Sequence, residues 1–145
     1  MPLELVTIPC LADNYAYLLH DAASGHTTLV DVPEATPILN ALAGRGWRLD
    51  QILLTHHHSD HIQGVPEVLA ATQAAVLGAR ADTHRLPPLT RALTEGDHLP
   101  IGAETAHVLD VSGHTLGHIA FHLPQSALAF TADSLIWGDK ASPPP

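Results

Sequence analysis

The chain has 145 residues and a formal net charge of −9 with its histidines neutral, and only Lys140 and five arginines are basic. That length reads as one domain able to bury a core, and so few cationic residues exclude the clustered footprint of a nucleic-acid-binding surface. No stretch approaches the ~18 uninterrupted apolar residues of a membrane span, no basic-then-apolar leader is visible, and the single cysteine, Cys10, excludes an internal disulfide; a cytoplasmic location is the expectation.

Leu3 to Pro9 alternates in the manner of a strand. Asp13-Asn14 is a turn signal, Tyr15 to His20 resumes as a strand, Asp21 to Gly25 turns again, and Thr27 to Val32 completes a meander. Asp31, at its end, is either a turn or capping residue or a carboxylate that orients a metal ligand. Glu34 to Ala43 predicts a helix with Ile38, Leu39 and Leu42 on one face, ended by Gly44 and Gly46. Gln51 to Leu54 predicts a short buried strand. A second helix starts at Gln63-Gly64-Val65-Pro66, since proline is tolerated in a first turn, and runs to about Gln73 before a strand over Ala74 to Gly78. This alternation predicts an α/β layered sheet. Arg80 to Thr94, broken by Pro87-Pro88, predicts an irregular segment in which His84, Arg85 and Arg91 are solvated. Leu99 to Ile101 and Glu104 to Val111 predict a hairpin turning at Gly102, with His98 and His107 as ordinary surface or half-buried residues of it. Ile119 to Leu123 and Ala127 to Thr131 predict the last strands, with His118 and His122 structural. The expected organisation is one domain over 1–136 and a tail over 137–145, disordered from Ala141 to Pro145.

The chemistry concentrates where the buried strand ends, in Thr55-His56-His57-His58-Ser59-Asp60-His61. Neutral imidazole and carboxylate are good ligands for zinc and similar borderline metals. His56 and His58 are two apart, so in an extended segment they point the same way and can share one ion, while His57 alternates away. Asp60 and His61 are adjacent and face a common ion only if the chain turns, which gives a two-site reading. The bland alternative is a histidine-rich surface loop. Open α/β sheets build sites beyond the carboxyl ends of their strands, and His114 and Asp133 also lie just past predicted strand ends.

Thr55-His56-x-His58-x-Asp60-His61 resembles the T-H-x-H-x-D-H signature of the metallo-β-lactamase superfamily. The fuller pattern resembles the glyoxalase II (hydroxyacylglutathione hydrolase) family within it. Cys10-Leu11-x-Asp13-Asn14-Tyr15-x-Tyr17-Leu18 is similar to that family's N-terminal segment, Gly113-His114-Thr115-Leu116-Gly117-His118 to its second metal motif, and Phe130-Thr131-Ala132-Asp133-Ser134-Leu135 to the strand end bearing its bridging aspartate. The four blocks fall in the family's order across almost the whole chain.

The resemblance implies a metallo-β-lactamase-like αββα sandwich, incomplete here as the N-terminal half plus the metal loops. It implies two divalent metals, zinc first with iron or manganese as alternatives: His56, His58 and His114 on the first, Asp60 and His61 on the second, Asp133 bridging. A hydroxide held between them would attack the thioester of an S-acylglutathione, and Asp60, first a ligand, is also the candidate for proton movement. The sequence departs from the family in three ways. No histidine follows His122, so the second metal lacks one family ligand. Ile136-Trp137-Gly138-Asp139-Lys140 stands where the family carries a Cys-Gly-Lys/Arg segment that holds glutathione. The family's helical C-terminal domain is absent, which predicts uncovered apolar sheet surface that a homodimer could cover. The implied partner is a small-molecule thioester, with neither nucleic acid nor membrane. The alternatives are a mononuclear iron persulfide dioxygenase-like enzyme and a truncated, inactive metal-binding domain; β-lactam hydrolysis ranks below both.

Overall fold

Period-two burial in the strands builds two sheets that share one apolar interior. The computed structural model describes residues 3–11, 14–55, 62–84, 86–110, 119–125, 128–130, 135–137 and 140–142. The first sheet runs in chain order: β1 (Glu4–Cys10), β2 (Asn14–His20), β3 (Thr27–Val30), β4 (Gln51–Leu53), β5 (Ala75–Ala79) and β6 (Arg91–Leu93). β1 to β3 are antiparallel, and β3 to β6 are parallel. The change has a local cause: α1 (Ala35–Arg45) and α2 (Val65–Thr72) carry the chain back between parallel strands, which a tight turn cannot do. The second sheet is antiparallel throughout: β7 (His98–Ile101), β8 (Glu104–Asp110), β9 (Ile119–Leu123), β10 (Leu128–Phe130), β11 (Leu135–Trp137) and β12 (Lys140–Ser142).

Leu19, Val30, Leu53 and Leu77 of the first sheet meet Leu99, Val108, Phe121 and Phe130 of the second in one cluster. On the other face of the first sheet, Leu18, Leu29 and Ile52 pack against Ile38 and Leu42 of α1 and Val65 and Val68 of α2. β3 and β4 are therefore buried on both faces, and their aliphatic residues Leu29, Val30, Ile52 and Leu53 follow one another without polar alternation. Each such Leu, Ile or Phe contributes roughly 1.5–3 kcal/mol through burial. At one end the sheets are tied by polar contacts. The Ala103 N–H donates to Asp21 Oδ2 at 2.8 Å and the Gly102 N–H to His26 Nδ1 at 3.2 Å. Gln51 Nε2 donates to the Pro100 carbonyl and to Thr28 Oγ1, both at 2.9 Å. Gly102 adopts φ 61°, and a Cβ there would run into the Asp21 side chain, so this turn requires glycine.

Both helices cover the first sheet, and among the described residues no helix covers the second. Among the described residues the layers are thus helix, sheet and sheet, a part of the expected αββα sandwich. On the outer face of the second sheet Leu109 is 41% accessible, while its cross-strand partner Ala120 is buried. Two short elements overturn the sequence reading. Arg91–Leu93, read as irregular, pairs parallel with β5, and only Leu93 of its three residues is deeply buried, which leaves no periodicity to detect. Lys140–Ser142, assigned to the tail, pairs with β11, so Ala141 and Ser142 are in a strand rather than disordered. No described helix is long and apolar enough to cross a membrane.

Candidate metal centre

All six expected ligands, His56, His58, Asp60, His61, His114 and Asp133, lie outside the described residues, as do His57 and His118. What the structure does describe is where their segments leave and rejoin the fold. Segment 56–61 follows Thr55 just beyond β4, segment 111–118 joins β8 to β9, and segment 131–134 joins β10 to β11. The Ile119 N–H donates to the Thr55 carbonyl at 2.9 Å, which joins the first sheet to the second at this rim. Asp110 pairs with Ile119, Phe130 with Phe121, and Phe130 with Leu135, so the strand ends of the second sheet flank the same point. By residue type, the four imidazoles and two carboxylates expected in these three segments are donors whose chemistry fits zinc or a similar ion.

The rim is braced from below by Asp31. Its carboxylate accepts the Thr55 N–H on Oδ1 at 2.9 Å and the Thr55 hydroxyl on Oδ2 at 2.8 Å. Asp31 is 4% exposed, Thr55 is fully buried, and the Asp31 N–H donates to the Leu53 carbonyl at 2.8 Å. Asp31 also sits in the left-handed region at φ 61°, a conformation that short polar side chains tolerate best. The described contacts thus place the Asp31 carboxylate on Thr55, the residue that precedes the expected metal segment.

A second brace was not legible in the sequence. Glu34, read as the start of α1, is its extended N-cap residue and makes no side-chain cap bond. Its Oε1 instead accepts the Leu11 N–H at 2.9 Å, while its carbonyl accepts the Cys10 thiol at 4.0 Å. Leu11 stands at φ 54°, an outlier for a bulky residue. The register Cys10 with Asn14 and Tyr17 with Val30 places this turn on the rim that Asp31 occupies. Gly64, just after the expected metal loop, donates to the Val32 carbonyl at 2.9 Å, and a Cβ there would lie 2.9 Å from both Val32 Cγ1 and the Ala35 nitrogen. A glycine in a helix-opening motif was the only signal for that close approach.

Two titratable groups near the rim are shifted. Burial pushes the Cys10 thiol from 9.0 up to about 11, with the Glu34 carboxylate adding to it. Cys10 is therefore an inert, protonated core thiol. Burial, then the Asp31 charge, raises the Tyr17 phenol from 10.0 to about 12. The Tyr17 ring packs on Phe130, centroids 5.3 Å apart, below the strand end that leads to Asp133. Two concavities lie away from the rim: about 390 Å³ bordered by His26, Arg48 and Asp50, and about 420 Å³ between the helices beside Leu42 and Trp47.

The family model described as the metallo-beta-lactamase superfamily matches residues 13–145. The hydroxyacylglutathione hydrolase of Fuscovulum blasticum is 70% identical over 136 residues, which is 94% of this chain and 53% of that protein. The chain thus spans about half the length of the curated relatives it matches. The crystal structure of the BLEG-1 B3 metallo-beta-lactamase superposes with a TM-score of 0.81 at 23% identity, covering 90% of this chain and 72% of that one. The class B3 di-zinc metallo-beta-lactamase LRA-12 from an Alaskan soil metagenome superposes with a TM-score of 0.74 at 20% identity, covering 93% and 60%. The likeness to these two structures is one of fold.

Proposed function

The chain belongs to the metallo-beta-lactamase superfamily, and from that premise we propose that it acts as a metal-dependent hydrolase of hydroxyacylglutathione thioesters. One observation carries the reading: the 70% identity with a hydroxyacylglutathione hydrolase extends across 136 residues and so includes every block that bears an expected ligand. The proposal assigns His56, His58 and His114 to one metal, Asp60 and His61 to a second, and Asp133 to both. When bound, divalent metals would polarise the thioester carbonyl and lower the pKa of water from about 15.7 towards roughly 7.

The chain's own residues supply positioning. Asp31 holds the N–H and hydroxyl of Thr55 and so orients the backbone entering His56. The Ile119–Thr55 bond keeps the strand after His114 beside that entry. Tyr17 and Phe130 pack the floor beneath the approach to Asp133 and keep water out from below. Asp60 remains a candidate to accept a proton as well as a ligand. A cytoplasmic setting completes the proposal, in keeping with a single, free and buried cysteine.

The test is metal content and thioester cleavage on the same gel-filtered full chain. About two metal ions per chain, with cleavage of a hydroxyacylglutathione abolished by a chelator and restored by zinc, iron or manganese, is the expected result. A folded chain that takes up metal and leaves the thioester intact overturns the hydrolase reading.

A further inference from the structure

Three histidines that the rim does not use stand in one cross-strand row. The register pairs His98 with His107 and His107 with His122, across β7, β8 and β9. Their strand neighbours Leu99, Val108, Phe121 and Leu123 are buried between the sheets. By alternation the three imidazoles project from the opposite face, the one no described helix covers. His98 is exposed, and His107 and His122 are half-buried. His107 lies three positions from Asp110 at the rim, about 10 Å along the strand.

The spacing within the row is uneven, and that selects a pair. The His98 and His107 ring centroids are 4.3 Å apart with an interplanar angle of 63°, whereas His107 and His122 are 6.4 Å apart at 47°. Two imidazoles that bind one tetrahedral ion at 2.0–2.1 Å per nitrogen put their centroids about 5 Å apart. The first pair reaches that by opening less than an ångström. The second pair would have to sit on opposite sides of the ion. Among the described residues no group of three His, Cys, Asp or Glu side chains is placed to hold a metal, so His122 does not complete a three-ligand site. The Arg91 guanidinium donates to the His98 carbonyl at 3.2 Å and steadies this edge-strand backbone without occupying the imidazole.

We propose that His98 and His107 form a two-imidazole chelate for a borderline divalent metal ion such as Zn²⁺, Ni²⁺ or Cu²⁺, on the outer face of the second sheet and separate from the rim. Water completes the coordination. Imidazole suits these metals, two ligands already in register lose little freedom on binding, and the acidic chain favours a cation over an anion at an open face. The alternative is an edge-to-face ring contact with no ligand.

The experiment is equilibrium dialysis of the full chain against Zn²⁺, with bound zinc counted in the unaltered protein, in His98→Gln/His107→Gln and in His122→Gln. The expected result is loss of about one zinc from the double variant, or a fall in affinity of at least about tenfold at that site, with the circular dichroism spectrum unchanged and with His122→Gln retaining the ion. Equal zinc uptake by the unaltered and double-variant chains overturns the proposal. Should the double variant fail to fold, substoichiometric Ni²⁺ added to the unaltered chain provides the decision. Paramagnetic broadening of the His98 and His107 imidazole resonances ahead of His122 supports the pair, and broadening that spares them overturns it.

Discussion

The Asp31 carboxylate accepts both the N–H and the hydroxyl of Thr55, at 2.9 and 2.8 Å, across 24 residues of sequence. Both residues are buried, so removing the carboxylate leaves two donors in an apolar setting. Asp31→Ala is expected to lower stability by about 2–3 kcal/mol, read as a shift in the denaturation midpoint at unchanged slope, with metal content at the rim falling in parallel. Asp31→Asn retains one acceptor oxygen and tolerates the left-handed backbone, so its loss should be visibly smaller. Equal losses from the two variants would show that the carboxylate is not what holds Thr55.

Gly64→Ala tests the close approach of α2 to the link between β3 and α1. A Cβ 2.9 Å from the Ala35 nitrogen meets backbone, which cannot swing aside. The expected cost is about 1–3 kcal/mol, measured by chemical denaturation. An unaffected variant would mean that the two helices slide freely against each other.

Alkaline pH should weaken the fold. Cys10 titrates at about 11 rather than 9.0, and Tyr17 at about 12 rather than 10.0. The folded state therefore holds both protons more tightly than the unfolded chain does. The resulting stability is whole below about pH 9 and is lost as pH rises through about 11 to 12. Denaturation midpoints between pH 8 and 12 should fall, and Cys10→Ala and Tyr17→Phe should each flatten the decline. Unmodified Cys10 should also resist thiol reagents until the protein unfolds.

Phe130 is fully buried and packs against Tyr17 at the end of β10. Phe130→Ala should cost about 3–5 kcal/mol, while Phe130→Leu should retain most of the stability. Thermal unfolding of the two variants distinguishes lost packing from a specific ring requirement.

Replacing one proposed ligand, His56→Asn, should reduce metal affinity by more than about 100-fold, beyond what an outer-shell change produces. Thioester cleavage should fall with it while circular dichroism is retained. His57→Asn, at a position the proposal does not count as a ligand, should leave metal content unchanged, and equal effects of the two would dismiss the assignment.

By itself the sequence determined the local elements and the kind of chemistry. Period-two and helical patterns mark β1 to β5, α1 and α2 within a few residues, because burial on one face is written into neighbouring side chains. The proposed donor set of His56, His58, Asp60, His61, His114 and Asp133 comes from residue type and spacing alone, and those residues lie outside the described structure. Only the tertiary structure decided what depends on partners far along the chain. β6 exists because β5 offers it an edge, and β12 because β11 does. Asp31 grips Thr55, Glu34 holds Leu11 and Gly64 touches Val32 through contacts that no window of neighbouring residues contains. The row of His98, His107 and His122 likewise appears only once three strands are in register, since separate single histidines in three strands carry no periodic signal.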